Sequence, residues 1–264
     1  MALAVLYQQI EQSETIQIPE GWGQGRTIFG GLAAAILMHK AVTTIQNPQQ
    51  QLLSTSVTFV GPVQQGLAHI TSEILRQGKS VTTIEVRLWQ EGQVQTILLA
   101  SFGMARASSI EVNKLPQAPL YSSPDSLFEI PAHFPLPECF KHFELRWADI
   151  NLPCTASQRP DFEGYCRFDP KVHVSRTMHI ADLMAIFDIW PPGVLPMFQH
   201  IAPASTLTWH VTYVQPLQTN IHDWMKYKVV TDAAQQGYST EHAYLWDSHD
   251  RLIAIARQTV TVFA

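Results

Sequence analysis

Hydrophobic positions in the first half of the chain predict one buried helix followed by an antiparallel sheet. Residues 28 to about 42 are Ala-rich and apolar on nearly every face, with Thr27 as the N-cap, which indicates a helix surrounded by core. Strand-like composition follows over four segments, 52–60, 67–76, 80–90 and 94–105. In the third segment Ile84, Val86 and Leu88 alternate with Glu, Arg and Trp, as expected for a sheet with one covered face.

The second half of the chain repeats this order of elements. A helix is predicted from about Met178 to Trp190, because the run Pro191-Pro192-Gly193 then ends it. Four strands are predicted to follow, near 205–214, 223–232, 238–246 and 252–262. Short flanking strands are expected to complete the two sheets, at Val5–Gln8 and Thr15–Ile18 for the first and near 143–147 and 164–168 for the second.

An internal sequence repeat supports two copies of one unit. The segment Val57–Gln64 (VTFVGPVQ) reappears as Val211–Gln218 (VTYVQPLQ), an offset of 211 − 57 = 154 residues. Trp89 and Trp246 precede similar apolar strands at an offset of 246 − 89 = 157. An offset that drifts by only a few residues indicates duplication of the whole unit.

A proline-rich segment lies between the two copies. Six of the seventeen prolines fall between Asn113 and Glu138, where no helical or alternating period is sustained. The predicted organisation is therefore an N-terminal unit over residues 1–112, a linker over 113–138 and a C-terminal unit over 139–264.

Composition limits the classes of function. A chain of 264 residues with 46% hydrophobic content can bury either one large core or two cores of roughly 100 to 130 residues each, and size alone does not choose between them. The formal net charge is −5 and no basic run could follow a phosphate backbone, so nucleic acid is not an expected partner. No window approaches the ~18 apolar residues of a membrane span, and the first residues lack the basic region of a signal peptide. The three cysteines, without paired spacing, fit a reducing compartment, and we expect a cytoplasmic protein with no membrane association.

Several motifs, taken in order, resemble the double-hotdog acyl-CoA thioesterase II group of the thioesterase superfamily. In the first half they are Arg26–Gly31, Phe59–Pro62, Leu75–Ser80 and Ala100–Phe102. In the second half they are Phe187-Asp188, Thr206 ten residues before Pro216, and Gln258 in the last strand. The likeness covers most of the chain, whereas the linker and residues 148–176 match poorly.

This resemblance implies a fold, an activity and a set of site residues. The fold is an α+β double hotdog, two tandem units in which an antiparallel sheet wraps around a central helix. The activity is hydrolysis of acyl-CoA or a related acyl thioester in lipid metabolism. The family's Asp, Thr or Ser, and Gln, which together hold the attacking water, correspond here to Asp188, Thr206 and Gln258.

Thioester hydrolysis makes modest chemical demands. A base must take a proton from water, and donors must face the carbonyl oxygen as it becomes negative. Because the thiolate is a good leaving group, one carboxylate with hydrogen-bonding side chains is sufficient, and we expect neither a metal nor a cofactor. The chain also lacks a Gly-x-Ser-x-Gly elbow, a Walker-type loop and a His-Glu-x-x-His helix. His173 and His179 flank the second helix, but no carboxylate or cysteine at matching spacing accompanies them, so we interpret them as solvated or capping residues.

Helical phase separates the two aspartates of the second helix. Ile180, Leu183 and Phe187 belong to one apolar stripe, Asp188 lies about 80° from its centre, and Asp182 lies roughly opposite. We therefore predict that Asp188 borders the core and that Asp182 faces solvent. The structural alternative for Asp188 is a helix-end carboxylate paired with an arginine or a backbone amide. The residues alone do not favour either the catalytic or the structural interpretation, and the resemblance favours the catalytic one.

The remaining site residues also have two interpretations each. Thr206 alone is an ordinary strand residue and Gln258 alone fits a solvated face, whereas beside Asp188 they supply a hydroxyl and an amide that can hold water. Gly30 and Gly31 near the start of the first helix either let a substrate carbonyl approach free backbone N–H groups or give room for close packing. Both interpretations remain open.

Three functions are compatible with these features. The leading hypothesis is a thioester hydrolase with its site between the two halves and acyl-CoA as substrate. A non-catalytic acyl- or CoA-binding hotdog protein is the alternative, since a fold does not establish a function. A hotdog dehydratase is less favoured, because no paired Asp and His occur at the spacing that it needs. We also expect a homo-oligomer, a dimer of double hotdogs, because open sheets of this kind commonly pair.

Overall fold

The computed structural model describes residues 3–45, 47–131 and 133–263. The first half contains two helices and seven strands: α1 (Leu3–Gln12), β1 (Thr15–Ile18), β2 (Gly23–Gln24), β3 (Thr27–Ile28), α2 (Gly30–Thr44), β4 (Gln51–Phe59), β5 (Gly66–Gln77), β6 (Val81–Gln90) and β7 (Gln93–Gly103). The second half contains β8 (Phe143–Trp147), β9 (Glu163–Phe168), α3 (Ile180–Phe187), β10 (Ala204–Tyr213), β11 (Met225–Gln235), β12 (Tyr238–Trp246) and β13 (Leu252–Val262). The predicted long strands agree with these bounds to within three residues.

Eleven strands form one antiparallel sheet in the order β1-β5-β6-β7-β4-β10-β13-β12-β11-β9-β8. The first half supplies five neighbouring strands and the second half six, and the two sets meet where β4 pairs with β10. The short strands β2 and β3 form a separate hairpin. The alternation that predicted β6 is present, with Ile84, Val86 and Leu88 buried and facing α2.

An approximate twofold axis relates the two halves. Ser56 of β4 pairs with His210 of β10, and these two positions are themselves separated by the repeat offset, 210 − 56 = 154. Their side chains meet across the junction, with 2.8 Å between Ser56 Oγ and His210 Nδ1. The pairing on either side follows the same symmetry, because Thr55 faces Val211 and Val57 faces Trp209. The sequence repeat is therefore a repeat of structure.

Helices α2 and α3 pack against each other in opposite directions under the sheet. Gly31 at the start of α2 lies against Ala185 near the end of α3, and a Cβ added to Gly31 would lie 3.0 Å from the Ala185 carbonyl oxygen. At the other end, His39 of α2 comes near His179 at the start of α3. Each helix thus begins where its partner ends, and the pair creates two crevices related by the approximate axis. Helix α2 is buried almost all round, as predicted, but its N-cap is Phe29 and not Thr27.

The predicted strand at Val5–Gln8 is wrong, because these residues belong to helix α1. Its buried residues Leu3, Leu6, Tyr7 and Ile10 recur at helical spacing and pack on α2 and β1. Helix α3 is also shorter than predicted, since Asp188 is already its C-cap. The strand predicted at Thr15–Ile18 is present with those bounds.

The segment between the two halves is irregular over residues 104–123 and crosses the second half of the sheet. Lys226 Nζ donates to the Pro119 carbonyl at 3.0 Å, and Trp246 Nε1 donates to the Pro116 carbonyl at 3.1 Å. The division into units 1–112 and 139–264 around a linker 113–138 stays a prediction. Among the described residues, the structure contains no helix that is long and apolar enough to cross a membrane.

Candidate active site

Asp188 stands at the C-terminal end of α3, where two prolines stop the helix three and four residues later. Its side chain reaches the start of α2, and a Cβ added to Gly30 would lie only 3.0 Å from Asp188 Oδ2. The Gly31 backbone N–H is hydrogen-bonded to the same carboxylate. The carboxylate therefore lies at the positive end of the α2 dipole, in the crevice between the two helices.

The first two amides of α2 are the ones that the helix itself leaves unused. The Phe29 N–H is donated to the Trp22 carbonyl, and the Leu32 and Ala33 N–H groups are donated to the Phe29 carbonyl. The Gly31 amide is hydrogen-bonded to Asp188, and the Gly30 amide next to it belongs to the first residue of the helix. A Cβ on Gly31 would also lie 2.5 Å from Phe29 Cζ, so close packing alone requires glycine there.

Gln258 reaches Asp188 from the sheet, and Thr206 lies beside Gln258. They lie on the neighbouring strands β13 and β10, and Gln258 Nε2 donates to Thr206 Oγ1 at 2.6 Å. The Gln258 side chain also hydrogen-bonds the Asp188 carboxylate. The pairing between β10 and β13 is irregular between Thr206 and Thr208, which leaves Leu207 as the extra residue of a β-bulge beside Thr206. The structure brings the three side chains together, and their catalytic roles stay a prediction.

Burial dominates the electrostatics of Asp188. Burial, with a smaller contribution from the negative charge of Glu241, raises the pKa of this carboxyl from 3.8 to about 8. Hydrogen bonds from the Gly31 amide and the Gln258 side chain act in the opposite direction, because they stabilise the ionised form. Cys139 is also close, and burial together with the Asp188 charge raises the pKa of its thiol to about 12. A carboxyl with a pKa near 8 is a suitable proton acceptor at neutral to alkaline pH.

The prediction that Asp182 faces solvent is wrong. Asp182 is 0% exposed and accepts hydrogen bonds from Arg176 at 2.5 and 2.9 Å, from Tyr7 Oη at 3.0 Å and from the His179 N–H at 2.7 Å. Tyr7 belongs to α1 and stacks on His39 of α2 with 4.3 Å between ring centroids. Helix α1 therefore covers the face of α3 opposite its apolar stripe and fills the crevice that is related to the Asp188 crevice by the approximate axis.

The two flanking histidines have different environments. His179 is the exposed N-cap of α3 in a capping box with Asp182, so the capping interpretation is confirmed. His173 is buried, hydrogen-bonded to His142 at 3.2 Å, and not solvated as the alternative interpretation stated. Burial lowers the pKa of His173 to about 4. His142 in turn stacks on Trp22 of the hairpin that leads into α2.

Sequence patterns did not identify Glu241, which lies on the buried face of β12 directly opposite Gln258 of β13. The signal that could have identified it is alternation along the strand, because Glu241 lies on the same face as Ala243 and Leu245. Within residues 3–45, 47–131 and 133–263, no group of three or more His, Cys, Asp or Glu side chains is arranged to hold a metal ion.

Two family models match the chain. The acyl-CoA thioesterase N-terminal domain matches residues 18–103, and the acyl-CoA thioesterase C-terminal domain matches residues 115–262. No curated protein matches the chain at a significant level.

Solved structures share the whole fold. A conserved protein of unknown function with a hot dog fold from Alicyclobacillus acidocaldarius is 21% identical, with a TM-score of 0.81 over 95% of this chain and 92% of that chain. An acyl-CoA thioesterase II from Mycobacterium marinum is 19% identical, with a TM-score of 0.73 over 98% of both chains. The tesB protein of Mycobacterium avium subs paratuberculosis is 14% identical, with a TM-score of 0.76 over 100% of both chains. The predicted α+β double hotdog is therefore confirmed.

Proposed function

Because the chain belongs to the acyl-CoA thioesterase family, we propose that it hydrolyses acyl-CoA by direct attack of a water molecule held by Asp188, Thr206 and Gln258. The convergence of these three side chains in one crevice is the observation that carries the proposal. The matched models cover both halves and support thioester hydrolysis.

Asp188 is the general base in this mechanism. Its oxygen accepts a proton from the attacking water as the water oxygen bonds to the acyl carbon. The C–S bond then breaks, the electron pair leaves with the CoA thiolate, and the Asp188 proton is passed to the products. Since the pKa of Asp188 is about 8 before substrate binds, we expect kcat/KM to rise with pH up to about that value.

Gln258 and Thr206 orient the water. The Gln258 amide bridges Asp188 and Thr206, so the acceptor of the proton and the two hydrogen-bonding groups keep a fixed spacing. The Thr206 hydroxyl accepts from Gln258 and retains its own proton for donation to the water. Fixed orientation of this kind lowers the entropy that must be lost on reaching the transition state.

The Gly30 backbone N–H is the donor that faces the developing oxyanion. The Gly31 amide is already engaged by Asp188, so only the first of the two predicted glycine amides is assigned to the substrate. Its position at the N-terminus of α2 adds the favourable helix dipole. The assignment keeps both glycines at the site, one binding substrate and the other holding the base.

Release of thiol from a panel of acyl-CoA substrates, followed with a thiol reagent, tests the proposal. We expect turnover by the parent and a loss of at least about 10²-fold in Asp188→Asn, which keeps the shape of the side chain without its basicity. Binding of acyl-CoA without thiol release would favour the non-catalytic alternative. The homodimer of double hotdogs and the cytoplasmic location stay predictions.

A further inference from the structure

Glu241 is a buried carboxylate beside the proposed site. It lies on β12 between Thr231 of β11 and Gln258 of β13, its direct partners in the sheet, and it is 2% exposed. Gln258 is the residue that contacts both Asp188 and Thr206. Glu241 is thus one strand away from the side chains that are proposed to hold the water.

A hydrogen bond joins Glu241 to the turn that follows Asp188. The Gly193 N–H donates to Glu241 Oε2 at 2.8 Å, and the Gly193 carbonyl accepts from the Asp161 N–H at 2.7 Å. The Asp161 carboxylate in turn accepts from the Thr231 N–H at 2.7 Å. Both backbone groups of Gly193 are therefore fixed to the sheet and its flanking loop, five residues after the proposed base.

The charges that face Glu241 are all negative. They come from Asp161 of the loop, Asp232 of β11 and Asp188 of α3, and Tyr227 of β11 adds a buried phenol. Asp232 lies on the exposed side of β11, where its partners are Arg257 and His242. No lysine or arginine of the described residues forms an ion pair with Glu241. A buried carboxylate without a paired cation lowers the free energy of unfolding, and the hydrogen bond from the Gly193 N–H offsets only part of that cost.

We propose that Glu241 is a positioning residue for the hydrolytic site, which holds the turn after Asp188 through Gly193 and places a second negative charge beside the base. The proposal rests on the hydrolytic function proposed above. The carboxylate acts in two separable ways. Its oxygen fixes the turn that follows α3, and its charge makes Asp188 more basic, because two neighbouring carboxylates resist joint ionisation.

Two substitutions separate these effects. Glu241→Gln keeps an oxygen acceptor for the Gly193 N–H and removes the charge. We expect the acidic limb of the kcat/KM profile to move to lower pH by about half a unit or more, with plateau kcat within about twofold of the parent. Glu241→Leu also removes the acceptor, and we expect plateau kcat to fall about tenfold with a smaller change in KM.

Thr231→Val is the matched control. Thr231 is the neighbour of Glu241 on β11, its buried Oγ1 has no hydrogen-bond partner among the described residues, and valine has the same shape. We expect its pH profile to coincide with that of the parent. If the profile of Glu241→Gln also coincides with the parent, or if Thr231→Val produces the same shift, the proposal is overturned. If folded Glu241→Leu keeps the plateau kcat of the parent, the role of the hydrogen bond to Gly193 is overturned, and should this variant fail to fold, the other two variants still decide the effect of the charge.

A second measurement separates failure of this proposal from failure of the hydrolytic function. The carboxyl carbon of Asp188 can be titrated by ¹³C NMR in the parent and in Glu241→Gln, with Asp188→Asn identifying the resonance. A lower midpoint in Glu241→Gln supports the coupling, and an unchanged midpoint overturns it. If the parent releases no thiol from any acyl-CoA, the hydrolytic function fails and the titration still reports on Glu241.

Discussion

The two aspartates at the ends of α3 predict opposite consequences of the same substitution. Asp188→Asn is expected to abolish most turnover while leaving the fold as stable as the parent or more so. Asp182→Asn is expected to destabilise the fold while leaving turnover per folded molecule within about twofold of the parent. The helix is common to both positions, so the contrast isolates the surroundings of each carboxylate.

For Asp188→Asn, the size of the change in the free energy of unfolding follows from the raised pKa of Asp188. Between pH 3.8 and about 8 the folded chain holds a proton that the unfolded chain has released. The free energy of unfolding therefore falls by up to about 1.4 kcal/mol per pH unit as the pH rises through this window. Asparagine removes that slope. Integrated to pH 7 the gain is bounded at roughly 4 kcal/mol, and we expect about 1–2 kcal/mol because the buried amide keeps part of the desolvation penalty.

For Asp182→Asn, the size of the loss in the free energy of unfolding follows from the hydrogen bonds of Asp182. Asparagine loses the charge that pairs with Arg176 and one of the two oxygens that Tyr7, Arg176 and the His179 N–H share. Breaking a fully buried ion pair costs about 3–5 kcal/mol. Because the Arg176 side chain is 25% exposed, water recovers part of this, and we expect about 2–3 kcal/mol. At roughly 2–4 °C per kcal/mol for a chain of this size, the melting temperature falls by roughly 4–12 °C.

Thiol release at saturating acyl-CoA and urea unfolding at pH 5 and pH 8 measure both quantities on the same preparations. The gain in stability of Asp188→Asn over the parent should grow from pH 5 to pH 8. Asp182→Asn should be less stable than the parent at both pH values. Retention of more than about a tenth of parental turnover by Asp188→Asn would place the base elsewhere. Loss of turnover in folded Asp182→Asn would connect the crevice filled by helix α1 to catalysis. It would contradict the structural role assigned to Asp182.

Three further outcomes are expected. Thr206→Val, which keeps the shape and removes the hydroxyl bonded to Gln258, should lower kcat about tenfold in the thiol assay with melting almost unchanged. The contribution of His173 to the free energy of unfolding should decline as the pH falls from 6.5 to about 4, because the buried ring is kept neutral; urea unfolding of the parent against His173→Gln measures it. Exhaustive chelation should leave thiol release unchanged, because the proposed mechanism activates the water with a carboxylate, and restoration of lost activity by zinc would refute this.

Local patterns predicted most of the sheet, because alternating apolar residues and flanking turn residues mark its strands within the sequence of each strand. Strands β12 and β13 have the bounds that alternation and turn residues predicted. Helix α1 was missed for a local reason, since the strand interpretation considered only Val5–Gln8. The helical spacing of Leu3, Leu6, Tyr7 and Ile10 is visible only over the longer window.

The candidate site could be predicted only as far as phase and family motifs extend. Helical phase correctly put Asp188 at the border of the core. It failed for Asp182, because phase gives the direction of a side chain and not what packs there, and α1 comes from a distant part of the chain. Glu241 was not predicted for the same reason, since its neighbours Gly193 and Gln258 are brought together only by the sheet and the turn after α3.

The approximate axis through Ser56 and His210 has a consequence for how the two crevices can change. In a symmetric homodimer of single units, every substitution would appear in both crevices. In one continuous chain each copy mutates independently, so the crevice at the start of α3 can carry Arg176, Tyr7 and a fully buried Asp182 while the other keeps Asp188 within reach of solvent. Covalent joining thus permits the two half-sites to differ, so that one can be fixed by buried hydrogen bonds while the other is left open for the proposed reaction.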